Sequence, residues 1–202
     1  MTATDIAAAA RELVTPRLRL QCPRADHAAA FVESLNHNLP ELRFVGWGQQ
    51  PRDLEWSLRF CENSAQAVDA GETIVFNVFE RAGQAAHGAA DQPDAAGLGA
   101  YIGRVDLHSF DFDAPRCEVG YVGDKRFAGR GLMREAVLAT IELGFAIGLA
   151  RIHALSDVRN ERALHFAQAL GMNFEGTLRA YERDPQGELA DMAMFAAWCP
   201  GA

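Results

Sequence analysis

The stretch that decides the fold is Glu118-Val-Gly120-Tyr121-Val122-Gly-Asp-Lys125-Arg126-Phe127-Ala128-Gly129-Arg130-Gly131-Leu132-Met133-Arg134-Glu-Ala136. Alternating apolar residues run into a glycine-containing turn, which opens directly into a helical pattern lasting to residue 147. Residues 124–134 hold four cations, Lys125, Arg126, Arg130 and Arg134, and a single acid. A helix N-terminus presents free N–H groups and the positive end of the dipole, and glycines let a backbone approach an anion closely. The anion expected there is a phosphate. The known nucleotide loops do not fit: no GxxxxGK[ST] string occurs, and Arg134 stands where GxGxxG needs its third glycine.

Outward from this stretch, residues 117–123 read as a strand and 132–147 as an amphipathic helix stopped near Gly148. Before it, strands are expected at 13–21, 73–80 and 98–107, with helices at 27–36, capped by Asp26, and at 53–67. After it come a strand at 151–157, a helix at 161–170, and a hairpin of 174–183 with 189–198 around Asp184-Pro-Gln-Gly187. Residues 1–12 read as a loose or helical tail. In residues 81–97, ten of seventeen positions are Ala or Gly, so the segment cannot bury a face and is expected to be a mobile excursion. The order implies one α+β domain over 13–200, with a mixed, mostly antiparallel sheet of seven strands flanked by helices.

Composition narrows the class. Of 202 residues, 49% are apolar and 23% charged, the balance of a soluble globular chain. Nineteen basic against twenty-seven acidic residues leave a net charge of −8, which argues against a general nucleic-acid binder. The four cysteines, Cys22, Cys61, Cys117 and Cys199, form no CxxC pair, so neither a zinc site nor a disulfide framework is signalled. With no basic leader and no apolar run of about 20 residues, the expectation is a cytoplasmic protein without a membrane segment.

Arg126-x-x-Gly129-x-Gly131 matches the [QR]xxGx[GA] pyrophosphate loop of the GNAT acyltransferases. Asn160-Glu-Arg-Ala163, Leu170-Gly-Met172 and Phe174-Glu-Gly176 look like that family's cofactor-side helix and its continuation. The terminal hairpin, Leu13-Val-Thr-Pro-Arg-Leu-Arg-Leu and Asn38-Leu-Pro…Trp47 resemble the RimJ/RimL branch, which acetylates protein N-termini. The resemblance covers about residues 13–198, and the excursion is its main departure. It implies acetyl-CoA as cosubstrate, no metal, and a monomer or homodimer. It also implies that the backbone at Arg126, Phe127, Ala128, Gly129, Arg130, Gly131, Leu132 and Met133 holds the pyrophosphate. Tyr121 and Val122 would pair with the pantetheine arm, with an amide near Val122 polarising the thioester carbonyl, and Asn160 would lie beside that arm. The glycines also read as ordinary turn formers, and Asn160 as an ordinary N-cap.

Two carboxylates are candidate bases: Glu118, on the strand entering the loop, and Glu175, which matches a glutamate of the RimJ/RimL branch. Either reads equally as a solvated strand residue. Ala167 stands where many family members supply a tyrosine as general acid, and Ala163 where the branch often has serine. Water is then the expected proton source for the thiolate, since a thiol pKa near 8.5 makes it a tolerable leaving group. An α-amine of pKa about 7.7–8 costs about 3.4 kcal/mol less to deprotonate than a lysine near 10.4, which suits a modest base. The expected acceptor is a primary amine, foremost a protein N-terminus, with which a basic peptide would be compatible given the acidic chain, and the aromatic segment 37–47 is the expected wall. A small amine acceptor (polyamine, amino acid or antibiotic) and a non-catalytic acyl-CoA-binding module are the rival readings.

Overall fold

A computed structural model describes residues 2–81 and 98–199. The chain order is α1 (Ala3–Ala7), β1 (Glu12–Val14), β2 (Leu18–Gln21), α2 (Ala28–His37), α3 (Leu54–Asp69), β3 (Ile74–Arg81), β4 (Leu98–Asp111) and β5 (Arg116–Gly123). There follow α4 (Leu132–Ala146), β6 (Arg151–Asp157), α5 (Glu161–Ala169), β7 (Asn173–Arg183) and β8 (Leu189–Trp198). The strands form one sheet in the order β1-β2-β3-β4-β5-β6-β8-β7, antiparallel except for the β5–β6 pair.

The sheet has eight strands, where the sequence predicted seven. The expected strand at 13–21 breaks at Pro16, which fixes φ and lacks an amide proton. The flanking pieces fold into a hairpin, Thr15 N–H donating to the Leu18 carbonyl at 3.0 Å. Asp26 does not cap α2. It lies within a 3₁₀ turn over Ala25–His27 and is held by Arg24 at 3.0 and 2.6 Å, while His27 occupies the N-cap position without a side-chain bond. Of the expected excursion, residues 82–97 lie outside the described residues.

Alternation in the central strands directs side chains to two layers. Ile74, Phe76, Val78, Ile102, Val105 and Leu107 meet Leu132, Ala136 and Val137 of α4 in the larger core. Phe79 and Tyr101 point the other way and pack with Phe31 of α2 and Cys61 of α3. The tail is helical, as one of its two expected forms had it, and Ile6 is fully buried in the larger core.

Parallel pairing between β5 and β6 consists of Arg116↔Arg151, Cys117↔Ile152 and Glu118↔His153. Beyond Glu118 the strands part. β5 stays paired with β4 as far as Gly123↔Gly103, and β6 with β8 as far as Asp157↔Met192. Residues 119–123 therefore face a gap inside the sheet. On the α4 side Tyr121 packs against Phe166 of α5, ring centroids 4.8 Å apart.

Candidate active site

Two cavities meet at this gap. One, of about 320 Å³, lies on the α4–α5 side and is lined by the 127–134 turn, Asn160 and Phe166. The other, of about 740 Å³, lies towards α2 and α3 and is walled by Phe44 and Trp47, with Asp106, His108 and Glu118 among its lining residues. Tyr121, Val122, Asn160 and Ala163 line both.

The turn of the smaller cavity is held by side chains that the sequence reading did not assign to it. Asp124 accepts from the Arg126 amide at 2.9 Å and from Ser34 Oγ at 2.7 Å, and the Lys125 amide donates to Asn38 Oδ1 at 2.8 Å. Burial works to raise the Asp124 pKa, but bonds from Arg126, Ser34 and Asn38 outweigh it and bring the group down to about 2. Gly129 and Gly131 adopt φ of +76° and +71°, conformations that disfavour a side chain, and the position of a Gly129 Cβ is open space. Among the described residues, the amides of 129–134 have no acceptor within the protein. Arg17 braces the turn from β2's leading edge, its guanidinium donating to the Arg130 carbonyl at 2.8 Å and, through Nε, to Glu135 at 2.6 Å.

Three of the four cations are engaged within the protein rather than forming the free basic patch their spacing suggested. Arg126 is bound by Asp124 and, at 2.7 Å, by Glu33, and Arg130 is bound by Glu80. Arg134 donates to the Ala169 carbonyl at 2.7 Å. Most of the anion-binding capacity here belongs to backbone amides at the start of α4. Phe127, Leu132 and Met133 serve packing as well: all three join the larger core, and Met133 lies within 2.8 Å of where a Gly123 Cβ would stand. Asn160 caps α5, its Oδ1 accepting from the Ala163 amide at 3.3 Å while the residue also lines both cavities. The two readings of Asn160 are compatible.

In the larger cavity Glu118 faces two imidazoles, His108 Nε2 at 3.8 Å and His153 Nε2 at 3.9 Å. Burial raises its pKa, while His108 acts to lower it. Glu175, the other candidate base, is not among the lining residues. Two nitrogens of Arg151 hold its carboxylate, and this bonding lowers its pKa. Glu182 of the same strand does line the cavity. A bulge between Leu178 and Glu182, with Ala180 at φ +48°, re-aims β7 there. Alternation along a strand cannot reveal this, because a bulge resets the period. Asp106, His108 and Glu182 are among the cavity groups that sequence reasoning missed.

The comparisons agree with this architecture. A model of the acetyltransferase (GNAT) domain matches residues 17–173. The chain belongs to the GNAT acetyltransferase family. This GNAT domain is 33% identical over 96 residues to an uncharacterized N-acetyltransferase p20 of Bacillus licheniformis, a match spanning 47% of the chain and 53% of that relative. The chain thus spans about half the length of the curated relative it matches. Among solved structures, the ribosomal L7/L12 alpha-N-protein acetyltransferase RimL in complex with coenzyme A superposes with a TM-score of 0.77 at 17% identity, over 94% of this chain and 98% of that one. The microcin C7 self immunity acetyltransferase MccE, in complex with acetyl-CoA and AMP, does so with 0.76 at 17% identity, over 91% and 93%. At these identities the likeness is one of fold. Among the described residues no group of His, Cys, Asp and Glu could hold a metal ion, and no helix is long and apolar enough to cross a membrane.

Proposed function

We propose that this GNAT domain transfers acetyl from acetyl-CoA to a primary amine, foremost the α-amine of a protein N-terminus. The observation that carries the reading is the meeting of the two cavities at Tyr121 and Val122. One side offers unpartnered amides suited to a pyrophosphate, the other carboxylates suited to an ammonium group. Acetyl-CoA supplies the activated thioester. The amides of Gly129 to Gly131 and the first turn of α4 bind the phosphates, those of Arg126, Phe127 and Ala128 being bonded within the turn itself, and the unpaired edge of β5 lies along the gap that the arm crosses. Of the two candidate carboxylates we keep Glu118 at the reaction site, because it lines the cleft and burial raises its pKa. Glu175 is assigned to positioning Arg151. The protein N-terminal acceptor is supported by the fold shared with RimL.

The test is thiol release with acetyl-CoA against hexapeptides beginning with serine or alanine, spermidine and free amino acids. Turnover highest on the peptides supports the proposal. Turnover confined to small amines moves the acceptor class, and binding of acetyl-CoA without turnover on any acceptor favours a non-catalytic module.

A further inference from the structure

The proposed reaction must remove two protons from an ammonium acceptor, and Glu118 does not stand alone to receive the first. His108 and Asp106 lie on the same face of β4, and their side chains meet: Nδ1 of His108 is 2.7 Å from Oδ1 of Asp106. Register places Gly120 of β5 opposite Asp106 and Glu118 opposite His108. The absence of a side chain at Gly120 makes room for the carboxylate, since a Cβ there would stand 2.9 Å from Asp106 Oδ1. The carboxylate fixes the imidazole with Nδ1 towards Asp106 and Nε2 towards Glu118, 3.8 Å away. Ser109, the next residue, sits at φ +55° within the irregularity that ends regular β4–β5 pairing.

We propose that His108, oriented by Asp106, is a catalytic base of this site and takes the first proton from the acceptor ammonium. The proposal rests on the acetyl-transfer reading above. The N–H bond of the ammonium breaks, its electron pair stays on nitrogen, and the proton passes to neutral His108 Nε2, which later releases it to water. The nitrogen then bonds to the acetyl carbon as the carbon–sulfur bond breaks, and the second amine proton neutralises the thiolate. Charge and atoms balance with no further reactant.

His153 is the alternative imidazole, and its surroundings disfavour it. Its side chain is 14% exposed against 39% for His108, and it is not among the residues lining the cavity. Burial, Arg151 and Arg116 lower its proton affinity, whereas the bond from Asp106 raises that of His108. The charged and titratable groups acting on His108 are Asp106 on its own strand, Glu118 on β5, His153 on β6 and Glu182 on β7. The three carboxylates favour the imidazolium and so strengthen His108 as a proton acceptor, against the opposing effect of burial.

The experiment is the pH profile of kcat with a serine-initiated hexapeptide and saturating acetyl-CoA, for the wild type and for His108→Gln, Asp106→Asn, His153→Gln and Glu118→Gln. The profile of kcat reports groups in the bound complex. His108→Gln is expected to lose the rising limb and about 10²-fold in kcat at neutral pH while keeping acetyl-CoA affinity. Asp106→Asn is expected to shift the limb to lower pH, because the lost carboxylate no longer supports the imidazolium. A limb unmoved in both, or removed only by His153→Gln or Glu118→Gln, overturns the proposal. A wild type that acetylates neither peptides nor small amines overturns the transfer reading, and this inference falls with it. Turnover with an unmoved limb sinks the inference alone.

Discussion

Gly120 shows how much a missing side chain can decide. An added methyl group would stand 2.9 Å from Asp106 Oδ1, the mobile end of a side chain, so the fold can yield but the Asp106–His108 bond cannot stay as it is. Gly120→Ala is therefore expected to leave the urea midpoint nearly unchanged and to lower kcat about tenfold, equivalent to about 1.4 kcal/mol in the barrier. A loss of stability with kcat intact would contradict this. Asp124 makes a different kind of prediction. Its folded-state pKa, about 2 against an ordinary 3.8, is depressed, so its contribution is fully present above about pH 4 and is lost as pH falls towards 2. The loss amounts to about 2 kcal/mol, and acid titration of Asp124→Asn should lack that component. At this scale the sequence was informative where a residue type has one steric use, as at Gly129 and Gly131. It misled where partners come from afar: Glu33 and Glu80, which neutralise Arg126 and Arg130, are 93 and 50 residues away.

Elements were the most legible level, because period and punctuation are local. The strand at 151–157 and the strand at 189–198 have the bounds read from the sequence, and α4 ends one residue early. The misses have physical causes: Pro16 divides one strand into a hairpin, and two bulges turn Ser109 and Ala180 to positive φ without any glycine to announce them. α1 is the element whose importance periodicity understates. Five residues cannot hold a helix by their own propensity. Here the fully buried Ile6 anchors α1 in the main core, and a Gly71 Cβ would stand 2.1 Å from the Ala3 carbonyl oxygen. Ile6→Ala is expected to cost about 2–5 kcal/mol in urea unfolding. A cost below about 0.5 kcal/mol, the range of an ordinary surface change, would show that α1 is an appendage.

Across the whole molecule, a net charge of −8 is compatible with the proposed anion-binding turn because unpartnered amides at the start of α4 carry much of its capacity. Ligand binding there should be visible globally. At acetyl-CoA about 100-fold above Kd, stabilisation is about 2.7 kcal/mol, which raises Tm by roughly 5–10 °C for a chain of this size. Gly129→Val, which adds a side chain to the open cradle at φ +76°, should abolish most of that rise. The parting of β5 from β6 has a last consequence. A sheet of eight strands ordinarily has two borders, here β1 and β7, but this one has four, two of them in its interior. The interior borders flank the gap between β5 and β6, and the amides on them that lack a strand partner exchange with water until something fills it. Hydrogen–deuterium exchange should therefore find the alternate amides of residues 119–123 that face away from β4 poorly protected in the free protein and markedly protected with acetyl-CoA, while the paired residues at 116–118 change little.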